Sequence, residues 1–234
     1  MEYIDLTRTL KNKIPVYPND PKTKLEKIKD DSTDYNLFYL KTGLHSGTHI
    51  DSPYHYIENG EKINEIKLER LISKGNVLNL KNKNNLTENK KINENNKNNK
   101  NNKNNENNEN NKITKNKEIN KNNINIENIK EKIVILNTKD SKWGTKEYFT
   151  DNYYLSKQFA KILVKKGIYG LCVDTGSVDK FGESKIHKIL LKNNIWIVEN
   201  ITNTNQLIKN TYLTYVIPAK MESEASFARI FVKK

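Results

Sequence analysis

The chain has one cysteine among 234 residues, so no intramolecular disulfide braces it and a reducing compartment is expected. It also has no apolar run approaching the roughly 18 residues needed to span a bilayer. Its first residues, MEYIDLTRTL, carry acids where a secretory leader would be basic and then apolar. Together these absences lead to the expectation of a soluble, cytoplasmic protein with no membrane partner. The length allows one sizeable domain or two small ones.

Positive charge is abundant: 41 basic against 28 acidic residues give a net charge of +13. Taken alone, that balance suggests a nucleic-acid partner. Its distribution argues otherwise, because residues 81–130 hold 23 Asn, 12 Lys and 6 Glu and so supply +6, leaving only +7 to the other 184 residues. Within this segment, NENNKNNKNNKNNENNENNK lacks aromatics for base stacking and arginines for phosphate or guanine, and mixes acids among its lysines. It reads as a solvated low-complexity insert at about 82–120, too polar to offset its own ordering entropy, and no nucleic-acid partner is expected.

The insert lies between NVLNL (76–80) and KIVILN (132–137), two β-branched apolar runs that read as buried strands. An insertion there lengthens a loop, whose closure entropy grows only logarithmically. Elsewhere, LFYLKTGLH (37–45) reads as a strand and KLERLI (67–72) as a short helix. Leu155, Phe159, Ile162 and Leu163 recur at helical spacing, with Ser156 placed to cap the start and Gly167 to end the helix. IYGLCV (168–173) reads as a buried strand ending at Asp174, Ser184 as the cap of a second helix through about Lys192, and IWIV (195–198) as a strand ending at Glu199. This alternation predicts one α/β or mixed α+β domain over 1–234, interrupted by the insert.

Three of the four histidines fall within GLHSGTHIDSPYH (43–55). His45, His49, Asp51 and His55 occupy odd positions and would face one way in an extended chain. A straight strand would nevertheless separate His45 from His55 by about 33 Å, so one site can use both only if the chain wraps. Gly47 and Pro53 supply the bends between them. Imidazoles and a carboxylate suit zinc, manganese or iron, and a metal site is the reading that accounts for the clustering. The fourth histidine, His187, sits early in the second helix, and Glu199 ends the following strand. The helix advances about 1.5 Å per residue and the strand returns about 3.3 Å per residue, so the two can meet. Alone, that pair reads more often as a surface contact than as ligands.

HSGTHIDSPYH matches the H-x-G-T-H-x-D-x-P-x-H signature, and the chain thereby resembles the cyclase family of metal-dependent hydrolases, which includes bacterial kynurenine formamidases. The resemblance extends to DLTRTL, PVYPNDP, GLCVDTGSVD, HKILLKNNIWIVEN and PAKMESEASFARIFV. It implies a swivelling β/β/α-type domain with a mostly β core flanked by helices, working as a homodimer on a small-molecule amide. It implies His45, His49, Asp51, His187 and Glu199 as metal ligands, two Zn2+ per subunit (Mn2+ being an alternative) bridged by Asp51 and Glu199, and His55 as general acid/base. The activity implied is hydrolysis of an N-formyl aryl amide such as N-formylkynurenine, or opening of a cyclic amide such as isatin. A metal-binding protein without turnover, or a nucleic-acid-binding protein, is the alternative from another class.

The chain departs from the family at Tyr17, where tryptophan is usual, and at Asn19, Ala225 and Phe227, where glycine, glycine and proline are usual. Tyr17 reads either as an aromatic that stacks on a planar substrate or as a tyrosine packed at a turn. Arg229 reads as a surface charge or a substrate contact. Cys172 lies inside an apolar run and reads as a buried small residue. Asp174, Thr175, Ser177 and Asp179 read as turn residues or as supports for the ligands.

Overall fold

The computed structural model describes residues 2–28, 34–81, 117–139 and 142–234. The first half supplies β1 (Tyr3–Asp5), β2 (Lys24–Ile28), β3 (Leu37–Lys41), β4 (His49–Asp51), α1 (Leu68–Leu71) and β5 (Ile72–Asn79). The second supplies β6 (Glu118–Ile119), β7 (Ile133–Asn137), β8 (Tyr154–Leu155), α2 (Lys157–Lys166), β9 (Gly170–Val173), α3 (Lys185–Lys192), β10 (Trp196–Glu199), β11 (Thr211–Pro218) and β12 (Ala225–Lys233).

Eight strands form one sheet in the order β1-β12-β11-β5-β7-β9-β10-β4, and β12 also pairs with β4, so the sheet closes on itself. Strands β5, β7, β9 and β10 run parallel, and the remaining pairings are antiparallel. Alternation along these strands divides the apolar residues into two bodies. Ile133, Ile135, Cys172, Trp196 and Val198 pack with Ile4, Leu6, Ile50, Ile230 and Val232 on the enclosed side. Val134, Leu136, Leu171, Val173 and Ile197 face the other way, against Phe159, Ala160 and Leu163 of α2 and Ile186, Leu190 and Leu191 of α3. Each such side chain contributes roughly 1.5–3 kcal/mol on burial. Trp196 pairs with Gly170 across β10 and β9, and a Cβ at 170 would fall 2.1 Å from the indole, so only glycine leaves room for that ring.

This is the mixed, mainly β architecture expected from the sequence, with differences in detail. The runs flanking the insert are β5 and β7, neighbours in register from Gly75↔Ile133 to Asn79↔Asn137. Most of the insert lies outside the described residues, but its expected upper limit near 120 is too high. Ile119 is buried, and Glu118–Ile119 pairs with Tyr154–Leu155. The strand expected over 37–45 stops at Lys41, leaving the approach to His45 as loop. Helix α2 is capped as expected, Ser156 Oγ accepting from Phe159 N and Gly167 ending it at φ 63°. Ser184 makes no capping bond to α3. The Asp179 carboxylate does so instead, accepting from the Ile186 and His187 amides at 2.7 and 3.0 Å.

Candidate metal centre

Strand β4 runs between β10 and β12, with Glu199 opposite His49, Ile197 opposite Asp51, and Ala225 opposite Asp51 on the other side. Directly opposed residues in an antiparallel pair share a face, and so do residues two apart on one strand. Register alone therefore brings His49, Asp51 and Glu199 together. His49 Nε2 lies 3.5 Å from Asp51 Oδ1 and 3.7 Å from Glu199 Oε2. Helix α3 delivers His187, whose Nε2 is 3.5 Å from Asp51 Oδ2 and 3.3 Å from Glu199 Oε1. Gly47, at φ 66°, turns the preceding loop back so that His45 Nδ1 reaches Asp51 Oδ1 at 2.9 Å. Pro53 opens a short 3-10 turn over Pro53–His55 that folds His55 onto the same site, its ring centroid 4.4 Å from that of His45 and 5.8 Å from that of His187. The wrapped loop expected from the spacing is thus present.

All six residues meet at one place. Tyr17 makes none of these contacts. Its ring packs on Phe149 and Phe181 at 5.7 and 5.5 Å, and its hydroxyl accepts from Gly182 N at 3.2 Å. It thereby steadies the loop that leads into α3.

The donor set suits a divalent cation. Asp51 Oδ2 and His49 Nε2 are buried and make no hydrogen bond among the described residues, and Asp51 Oδ1 faces the His45 ring, a costly arrangement unless another partner satisfies them. Donor atoms of His49, Asp51 and Glu199 lie within 4.8 Å of one another, and so do those of His45, Asp51 and His55. Asp51 is common to both groups, as a bridging carboxylate would be. His55 belongs to the second group by distance, so position alone admits it as a ligand as well as a proton carrier.

Titration follows from this crowding. Burial opposes charge on His45, but the Asp51 carboxylate outweighs it and raises the imidazole to about 10. His187 is also raised, because its contacts with Asp179, Asp51 and Glu199 overcome burial. Asp51 is held well below the usual range by His45, His49 and His187 in spite of burial. His55 moves the other way, since burial, reinforced by the neighbouring imidazoles, pushes it down to about 4 against the pull of Asp51.

Several supporting residues emerge only from the tertiary structure. Asp179 accepts from His187 Nδ1 at 2.7 Å, which points Nε2 at the carboxylates, while the Gly47 carbonyl oxygen lies 2.9 Å from His49 Nδ1 and does the same for that ring. Val178 N donates to Glu199 Oε1 at 3.0 Å. Asn200, at φ 63° immediately after Glu199, offers its carbonyl to Thr48 Oγ1 and Arg8 Nε at 2.8 and 3.1 Å. Of the polar residues after β9, Asp174 accepts from the Thr138 amide and hydroxyl and the Lys139 amide. It holds a turn, whereas Asp179 orients the His187 ring. Arg229 forms a surface pair with Asp5 at 2.7 Å, and Cys172 is fully buried with its thiol raised by that burial.

A closed, mainly β domain with histidine and carboxylate donors converging on one buried aspartate defines a metal-binding class of protein. The chain belongs to the cyclase family: residues 4–180 match the family described as "Putative cyclase". It is 25% identical to a kynurenine formamidase of Bacillus cereus, over 86% of this chain and 82% of that protein. It is 23% identical to a kynurenine formamidase of Bacillus mycoides, over 99% and 97%. Similar folds occur in a solved structure described as a potential metal-dependent hydrolase with cyclase activity, with a TM-score of 0.66, 21% identity and coverage of 99% and 98%. An isatin hydrolase bound to the product analogue thioisatinate gives a TM-score of 0.70 at 18% identity, covering 99% and 91%. No helix among the described residues is long and apolar enough to cross a membrane.

Proposed function

We propose that the protein is a metal-dependent amide hydrolase that cleaves an N-formyl aryl amide such as N-formylkynurenine to the aryl amine and formate. The observation that carries this reading is the Asp51 carboxylate, fully buried, faced by the imidazoles of His45, His49 and His187 and common to two donor groups, with the His55 ring at its edge. The kynurenine formamidase relatives support the choice of substrate. His45, His49, Asp51, His187 and Glu199 would hold the divalent cations, two Zn2+ or Mn2+. Divalent cations supply a Lewis acid that polarises a carbonyl and lowers the pKa of water.

The remaining chemistry belongs to the chain. His55 takes a proton from the water that attacks the formyl carbon and returns it to the departing nitrogen, so the C–N bond breaks without expelling an anion. Asp179 and the Gly47 carbonyl keep His187 and His49 in fixed orientation. The working unit on this reading is a cytoplasmic homodimer that uses neither nucleic acid nor membrane.

A second reading, opening of a cyclic amide such as isatin, draws on the fold shared with isatin hydrolase and on Tyr17 and Asn19, which depart from the formamidase pattern. Zinc- or manganese-loaded protein assayed on N-formylkynurenine, formanilide and isatin separates the two. The highest kcat/KM is expected for N-formylkynurenine. A preference for isatin favours the second reading, and absence of turnover on all three, with metal bound, leaves a binding protein.

A further inference from the structure

His49 and His187 each turn one ring nitrogen toward the shared carboxylates and give the other to an acceptor: the Gly47 carbonyl in the first case, Asp179 in the second. His45 has a looser counterpart, beyond hydrogen-bond distance, from the far end of the chain. Its Nδ1 faces Asp51 at 2.9 Å, and its Nε2 lies 3.6 Å from Glu224 Oε1, an ion-pair contact. Glu224 directly precedes β12, whose first residue, Ala225, pairs with Asp51. The Glu224 carbonyl accepts from both Ser52 N and Ser52 Oγ, at 2.8 and 3.0 Å. The backbone at 224 is therefore pinned beside the ligand segment while its side chain, 37% exposed, reaches the open edge of the site.

We propose that Glu224 is a positioning residue for His45, and that through it the C-terminal strand sets the affinity of the cation nearest the open edge. A neutral imidazole carries its proton on one nitrogen only, and the other is the ligand. A carboxylate beside Nε2 favours the tautomer with the proton there and leaves Nδ1 free toward Asp51. The acceptors of His49 and His187 are buried and fix those rings in the same way, whereas Glu224 is solvent-accessible and can be changed without opening the core. This inference rests on the metal-centre reading above.

The alternative role for an exposed carboxylate at a site mouth is to recognise a cationic group of the substrate, and one experiment distinguishes the two. Zinc stoichiometry and affinity are measured by chelator competition for the full-length wild type, Glu224→Ala and Glu224→Gln, with 15N NMR of the His45 ring in the zinc-loaded proteins. For Glu224→Ala, the weaker zinc is expected to lose about 10–100-fold in affinity while the tighter one is unchanged. His45 should then shift from a single Nε2-protonated tautomer to a mixture. Glu224→Gln, which keeps an acceptor oxygen and the side-chain volume, should fall between wild type and Ala and provides the test if Ala folds poorly. Wild-type zinc binding and an unchanged tautomer in both variants would overturn the proposal. So would unchanged zinc binding with KM raised only for substrates bearing an ammonium group. Wild-type protein that binds no zinc at all would instead refute the metal-centre reading.

Discussion

The buried and open halves of the site are built by different means. His49, Asp51 and Glu199 are on paired strands, 1%, 0% and 5% exposed, and their meeting follows from the register of β4 against β10. His45, His55 and Glu224 lie on loop, turn and strand entrance, partly exposed, and meet because Gly47 and Pro53 bend one segment while β12 brings up another. The strand-borne half cannot move without shearing the sheet. The loop-borne half lies at the partly exposed edge of the site, whereas the inner half is enclosed.

Breaking the inner half should have the largest effect. Asp51→Asn removes the carboxylate common to both donor groups, and the loss of several kcal/mol of transition-state stabilisation converts to at least about 10^3-fold in kcat/KM. Elemental analysis should show the metal gone. An active Asp51→Asn enzyme retaining full metal would separate catalysis from this centre.

Asp179→Asn is the next test, because asparagine keeps one acceptor oxygen, enough for the Ile186 amide, but no longer presents a second carboxylate oxygen to the His187 amide and ring. Metal affinity should fall about 10–100-fold, with the thermal midpoint little changed. A large fall in melting temperature with unaltered affinity would make Asp179 a helix cap alone.

The sequence makes the two halves legible to different degrees. Odd-position spacing is enough to place His49 and Asp51 on one face, and the bends at Gly47 and Pro53 follow from residue chemistry. The pairing of Glu199 with His49 depends on two strands separated by about 150 residues, and no local pattern encodes it. Ser184 satisfies the local rule for a helix cap, yet Asp179 displaces it because one carboxylate there accepts two amides and an imidazole. The end of the insert is hidden by composition, since Asn and Lys continue past 120. Ile119 nevertheless finds a place in the apolar layer under α2, and one well-buried side chain outweighs its polar neighbours. Glu224 carries no signal of its own, because its relation to His45 exists only once β12 closes the sheet.

The smallest effect expected is on pH dependence. Asp51 holds a proton on His45, raised to about 10, and His187 is raised as well, so both are protonated near neutrality and a cation must displace those protons. Apparent affinity should therefore strengthen as pH rises toward about 10 and weaken as pH falls. Titration calorimetry in buffers of different ionisation enthalpy should register proton release. Binding with no proton release would place the cations elsewhere.

The division of labour between holding metal and moving protons is tested most directly at His55, whose donor atom groups with those of His45 and Asp51. Metal content and kcat are measured together on His55→Ala. The account predicts a full complement of metal with kcat reduced by about 10^2–10^4-fold, the range for loss of a general acid/base. Loss of metal in step with activity would contradict it and make His55 a ligand.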